Sequence, residues 1–363
     1  DDNRTIDIDP EAGWSGTTQV EVQVEDTGGL TAKDTFQVRV RSASFVKHVV
    51  STSCNGAHDV YATDVDGDGD MDVLVAASDD NTLVWWENDA EESFTEHVMG
   101  GDFYQASAVY ATDLDGDGDV DVLGAADWGG EIAWWENDGD RDRPKHLIDG
   151  SFRGAYDVYA TDLDGDGDVD VLGAAWSDDA IAWWENDGEQ GFTKHIIDDA
   201  FDSAQSVYAA DVDGDGDLDV LGAAYWDDEI AWWENDGEQG FTKHVIDDAF
   251  DGAVSVYATD VDGDSDVDVL GAAERASVIA WWENDGAGQF TGHPIAEVFD
   301  TTTSVFGTDV DGDGAVDVLA ASWYDGVAWW ENDGQQAFTQ YAVDGDFYPA
   351  QSVYATDVDG DGD

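Results

Sequence analysis

Basic residues are nearly missing from this sequence. Lys and Arg number 12 against 86 Asp and Glu, a formal charge of −74 over 363 residues. That excess excludes nucleic acid as a natural partner and argues against anionic membrane surfaces. Cysteine is reduced to Cys54, so no intrachain disulfide can form. A reducing compartment fits this, and so does an exported protein stabilised by metal instead. No apolar run approaches the ~20 residues that span a bilayer. No segment shows a helical period over ten residues, and HExxH, Gly-x-Ser-x-Gly and P-loop motifs are all missing. Carboxylates are so dense that an acid/base pair can be drawn anywhere, which empties that signal, and we expect no enzyme. No signal peptide is visible. The chain opens on DDNRTIDIDP without a Met and stops at DVDGDGD inside its own motif, and we read it as a fragment cut at both ends.

Apolar residues, by contrast, make up 42 % and Trp numbers 17, ample for a core and against disorder. The phrase DVDGDGDMDVL at 64–74 returns again and again. Its first Asp falls at Asp64, Asp113, Asp162, Asp211, Asp260, Asp309 and Asp357, in steps of 49 and finally 48. A period in the forties means stacked supersecondary units, either propeller blades or helical repeats. Within 206–246, SVYAADV, LDVLGAA, EIAWWEN and FTKHVI are four short β-rich runs separated by Gly and Asp turns. Four strands per unit make a propeller blade. The runs VLGAA and IAWWE do not alternate, as expected of strands buried on both faces. The paired Trp183 and Trp184 should then point to opposite faces and serve blade packing. The recurring His48, His97, His146, His195, His244 and His293 sit on the fourth strand as structural residues, with Tyr341 in the equivalent place of the sixth unit.

The fold class expected is all-β, a seven-bladed propeller of four-stranded antiparallel blades over 44–363. Its repeats start near 59, 108, 157, 206, 255, 304 and 352, the seventh being truncated. FVKHVV at 45–50 is an orphan fourth strand, and the ring should show a gap or loose seam where the seventh blade lacks strands. Residues 18–40 read as two alternating strands around Gly28-Gly29. They resemble the closing strands of a cadherin-like or immunoglobulin-like domain, which would give residues 1–43 to its C-terminal remnant.

Numbered from Asp64, the motif carries carboxylates at positions 1, 3, 5, 7 and 9 and Gly at 4 and 6. Such an oxygen-rich loop suits a hard cation, and Ca²⁺ takes six to eight oxygens. An EF-hand needs a Glu at position 12, where Val75 stands, so the loop is not one. The motif resembles the FG-GAP/VCBS repeat family, whose blades also build the integrin α-subunit head. That resemblance implies one Ca²⁺ per blade, in the loop between the first two strands, held by side chains 1, 3, 5 and 9 and the carbonyl of 7. Carried over, the ligands are Asp64, Asp66, Asp68 and Asp72; Asp113, Asp115, Asp117 and Asp121; Asp162, Asp164, Asp166 and Asp170; Asp211, Asp213, Asp215 and Asp219; Asp260, Asp262, Asp264 and Asp268; Asp309, Asp311, Asp313 and Asp317; and Asp357, Asp359 and Asp361. Ala315 at position 7 of the sixth copy should cost nothing, because a carbonyl suffices there. Ser265 replaces Gly at position 6 of the fifth, and a positive φ there would make that site the weakest.

Metal does not account for all of the charge. The motifs hold 33 of the 86 acids, and seven divalent ions would offset only 14 of the 74 excess charges. The remainder suggests adaptation to very high salt and a haloarchaeal or other halophilic source. The loops between second and third strands, and those between blades, lie on the rim opposite the acidic loops. They carry Trp128, Trp176, Tyr225, Trp226, Trp323 and Tyr324, and also Phe103, Tyr104, Phe152, Phe201, Phe250, Phe347 and Tyr348, while the fifth unit has Glu274 and Arg275. Trp128, Trp176, Trp226 and Trp323 are the candidate ligand residues; the aromatics could equally be plugs folding back over the blades. The expected role is a calcium-stabilised extracellular binding or adhesion module recognising a glycan or surface protein, as a monomeric domain in a larger chain. The alternatives are a spacer without a ligand, or a carbohydrate-active enzyme or its accessory domain.

Overall fold

The computed structural model describes residues 16–25, 31–40, 45, 47–89, 93–139 and 143–358, the first two stretches as backbone. The chain divides into two compact units, residues 1–48 and 49–363. In the first, β1 (Gly16–Glu25) pairs antiparallel with β2 (Thr31–Val40), Val20 opposite Phe36.

The second unit starts with β3 (Ala57–Thr63), β4 (Asp72–Ala77), β5 (Thr82–Asn88) and β6 (Phe94–Met99), an antiparallel meander in that order. The same four-stranded sheet recurs over 106–149, 155–198, 204–247, 253–296 and 302–344. Burial follows the apolar runs. Second strands such as Asp170–Ala175 are buried throughout, third strands such as Ala180–Asn186 almost throughout, and fourth strands such as Phe192–Asp198 lie largely open. The tryptophan pair splits as alternation requires. Trp184 joins the core shared with Trp134 of the preceding blade, and Trp183 joins the one shared with Trp233 of the next. The fourth-strand histidines are structural. His195 stacks on Trp183 at 4.7 Å and its Nε2 meets Glu185 at 2.9 Å; Tyr341 stacks on Trp329 in the sixth blade.

Gly173, in the middle of a second strand, is there for closeness of approach. A Cβ at that position would come within 2.9 Å of Ile132 Cδ1 in the preceding blade, 3.0 Å of Trp184 and 3.2 Å of Phe152. Gly173→Ala is therefore expected to destabilise by about 1–3 kcal/mol through overpacking, read as a loss of melting temperature. An unchanged melting temperature would show that the blades can move apart there.

Among the described residues six four-stranded blades are complete, which corrects the expectation of seven. Residues 352–358 adopt no strand, because no neighbouring segment offers them a ladder of backbone partners. Residues 45 and 47–50 are likewise no strand, so they are not the fourth strand of a shared blade. Val50 and Cys54 lie instead on the face of the first blade that carries Val75, Val84 and Trp86. The seventh place is nonetheless filled along the axis. Six rings from the first strands, Tyr61, Tyr110, Tyr159, Tyr208, Tyr257 and Phe306, and Tyr354 from the segment after the sixth blade form a closed circle with neighbouring centroids 4.7–5.0 Å apart. Tyr354 sits between Phe306 and Tyr61. Ser352 Oγ donates to Asp59 at 2.8 Å, and Asn88 Nδ2 reaches the Val358 carbonyl at 3.5 Å.

Candidate metal loops and the opposite rim

Each of the first six acidic loops leaves the inner strand and enters the second one. In the third blade, Gly165 and Gly167 hold φ of 74° and 101°, which a Cβ disfavours. The loop folds its own amides onto its carboxylates. Asp162 Oδ2 accepts from Gly167 N at 3.1 Å, Asp164 Oδ1 from Asp166 N at 3.2 Å, and Asp166 Oδ1 from Asp168 N at 2.9 Å. Asp170, at position 9, is buried and joins the loop to the sheet. Its Oδ2 accepts from Leu163 N at 3.0 Å and its Oδ1 from Asn186 N at 2.8 Å.

Positions 1, 3 and 9 converge. Carboxylate oxygens of Asp162, Asp164 and Asp170 lie within 4.8 Å of one another, as do those of Asp64, Asp66 and Asp72, of Asp113, Asp115 and Asp121, of Asp211, Asp213 and Asp219, and of Asp260, Asp262 and Asp268. Position 5 stays outside these groups, its Oδ1 turned onto the amide two residues on. Asp359 and Asp361 lie outside the described residues. Burial pushes Asp170 and Asp219 up to about 7, and Asp72, Asp121, Asp268 and Asp317 up to about 6. A carboxylate whose ionisation is disfavoured this way, beside two others, gains from a cation. Asp162 Oδ1 is buried without a hydrogen-bond partner. An all-oxygen, dianionic or trianionic cradle with an orphaned oxygen fits a hard divalent ion such as Ca²⁺.

In the fifth loop Ser265 has φ of 82°, the left-handed conformation that the sequence marked as a risk. Loop six keeps its fold around Ala315: Gly314 N donates to Asp309 Oδ2 at 2.8 Å and Val310 N to Asp317 Oδ2 at 3.0 Å.

Two residues outside the motif tie these loops into the ring, and the sequence reading missed both. Asn186 Nδ2 donates to Val169 O within its blade and to Leu114 O of the preceding blade, each at 3.0 Å. The same bridge recurs from Asn137, Asn235, Asn284 and Asn332. Gln190, Gln239 and Gln336 reach back to the position-3 carboxylates Asp115, Asp164 and Asp262 at 3.0–3.2 Å. The signal for the Asn was its place after WWE in six units; it was overlooked because an Asn before Asp-Gly looks like turn chemistry alone.

The opposite rim divides its aromatics in two. Phe103, Phe152, Phe201 and Phe250 are buried plugs, set edge-on to Trp135, Trp184, Trp233 and Trp282 at 4.9–5.1 Å, and drop out as ligand candidates. Trp128, Trp176, Trp226 and Trp323 are 76, 38, 58 and 40 % exposed, with Tyr104, Tyr324, Phe347 and Tyr348 also open. Trp176 is held by its Nε1 bond of 2.7 Å to Asp127 of the preceding blade. Trp226 stands edge-on to Tyr225, and the Arg275 guanidinium lies 5.0 Å from both rings while pairing with Asp228 and Asp251.

Solved structures share this architecture. A lectin from Agrocybe aegerita, described as recognising non-reducing terminal N-acetylglucosamine, matches at 19 % identity and a TM-score of 0.58, covering 81 % of each chain. A streptogramin B lyase matches at 11 % identity and a TM-score of 0.58 over 90 % of this chain and 87 % of its own. A functionally unknown protein from Desulfotomaculum acetoxidans matches at 11 % identity and 0.54 over 74 % and 78 %. At these identities the likeness concerns the fold. No curated protein matches the sequence. The model of the FG-GAP-like repeat matches six times in overlapping pairs, over 64–124, 113–173, 162–222, 211–271, 260–320 and 309–363, each match running from one acidic loop into the next. The chain belongs to the FG-GAP-like repeat family.

Proposed function

We propose that the chain is a calcium-stabilised binding module of a surface or secreted protein, engaging a glycan or a surface protein through the rim opposite the acidic loops. The observation that carries this is the exposure of Trp128, Trp176, Trp226 and Trp323 on loops whose neighbouring phenylalanines are buried. Exposed tryptophans on a rigid scaffold give contact area at low entropic cost. The acidic rim repeats almost unchanged and offers little that is distinctive; the other rim varies from blade to blade. Glycans are the first class to try, since one relative of the same fold is a lectin. In this reading Ca²⁺ occupies the loops through positions 1, 3, 5 and 9, as in integrin α-subunits. The high acid content belongs to a halophilic source, and the antiparallel pair β1 and β2 closes a cadherin- or immunoglobulin-like domain.

The test is a glycan array and a surface-protein pull-down, both at multimolar salt with Ca²⁺. The native chain is compared with the Trp176→Ala, Trp226→Ala, Trp323→Ala triple variant. Loss of binding in the variant, of tenfold or more, is the expected result. Binding indifferent to all three changes, or no ligand in either assay, would replace this reading with that of a spacer.

A further inference from the structure

A cavity of about 180 Å³ lies on the propeller axis, where the inner strands begin. It is at the end of those strands away from the acidic loops, and Glu274 and Trp323 of the opposite rim help to line it. The blades are otherwise close copies, and here they are not. The residue at the mouth is His58, Ser107, Tyr156, Gln205, Val254 or Thr303, six types in six blades. Two positions further along the strand, all six blades have valine. A structural lining would be free to repeat like the rest of the blade, so this divergence marks an asymmetric site.

The position between is Asp in two blades only. Asp59 accepts from Val109 N at 3.0 Å and Asp157 from Val207 N at 2.9 Å, each binding a neighbouring blade. Blades four, five and six use serine for the same tie: Ser206, Ser255 and Ser304 accept from the next inner strand at 3.2–3.4 Å. A neutral hydroxyl therefore suffices for the structural task, and the two carboxylates exceed it. Neither forms an ion pair with Lys or Arg among the described residues. Burial first, and then the charges of Glu274, Asp127, Asp157 and Asp59, hold the Tyr156 phenol above its ordinary value. Burial, with the Asp59 charge beside it, also pushes Asp157 up to about 7, so its ionised form gains from a cation.

We propose that this axial cavity binds a small hydroxylated organic cation, an ammonium group carried on a monosaccharide-sized body. The carboxylates of Asp59, Asp157 and Glu274 receive the ammonium. The Tyr156 and Trp323 rings offer aromatic faces to it. Ser and Gln side chains around the mouth meet the hydroxyls. A bare metal ion would leave most of this volume empty, while drug-sized ligands need larger pockets of roughly 300 Å³ or more. The site is separate from the rim tryptophans, Trp323 alone bordering both.

D-glucosamine and D-glucose are suitable probes, equal in size and differing in the ammonium. Calorimetric titration of the whole chain at pH 7, where Asp157, pushed up to about 7, is substantially ionised, is expected to show saturable one-to-one binding of glucosamine in fixed high salt with Ca²⁺. Glucose should bind at least tenfold more weakly. Asp157→Asn should weaken glucosamine binding about tenfold or more, and Glu274→Gln should do the same, its carboxylate holding no neighbouring strand. The Trp176→Ala, Trp226→Ala double variant should bind glucosamine as the native chain does. Equal binding of the two sugars, no saturable binding of glucosamine, or native affinity in both acid variants would overturn the proposal. So would loss of binding in the double variant alone, which places the ligand on the rim.

Discussion

Removing calcium with EGTA at fixed ionic strength is expected to lower the melting temperature by tens of degrees or to unfold the propeller outright. Each of the first five loops brings three carboxylates to within 4.8 Å, one of them buried in the blade. An ion that binds only the folded state contributes about 2.7 kcal/mol per site at a hundredfold excess over Kd. With an unfolding entropy of about 2.1 cal/mol/K per residue, 1 kcal/mol corresponds to roughly 1–2 °C in a chain of this size, and the contributions of the loops add around the ring. Scanning calorimetry with and without chelator, at constant salt, makes the measurement, and an unshifted transition would sink the calcium reading. The sites should also be unequal. Asp166→Ala should cost more than Asp264→Ala, because Ser265, at φ of 82°, already strains the fifth loop.

The second large effect is a collapse of stability on dilution to ~0.1 M monovalent salt with Ca²⁺ kept saturating. Six divalent ions would offset only 12 of the 74 excess negative charges. The screening length grows from ~3 Å at 1 M to ~10 Å at 0.1 M, so repulsion between neighbouring carboxylates reappears. Circular dichroism during dilution should show loss of the β signal, recovered on adding KCl. Full stability at low salt would mean that the acidity serves another purpose.

Most of the architecture was legible because the period was. Forty-nine residues with one acidic phrase and one WWEN phrase fixed four strands, their order and which runs are buried. Trp183 and Trp184 could be assigned to opposite faces from alternation alone. The blade count was not legible in the same way. SVYATDV at 352–358 reads as a strand, yet a strand exists only where another segment pairs with it. On the rim, Phe103 and Trp128 were indistinguishable as aromatic loop residues. Register decides between them: Phe103 N bonds to Asn81 O and turns its ring inward against Trp135, while Trp128 stands at a turn tip. The axial site was hidden for the opposite reason, since residues that differ from unit to unit look like noise in a repeat.

The asparagine bridges make each blade depend on the one before it, and the inner-strand ties make every blade but the second, which has Ala108 there, depend on the one after. A series coupled only between nearest neighbours behaves like a one-dimensional lattice, whose end members lose one coupling each. Here the ends meet at a single inner segment, Ser352–Val358, in place of a sheet. The first blade holds that segment through Asn88 and Asp59, and the sixth through Ser304 Oγ, which accepts from Val353 N at 3.4 Å. Opening therefore begins at this junction and travels inward blade by blade. The third and fourth blades, farthest from it, are the last to exchange their amide protons with solvent.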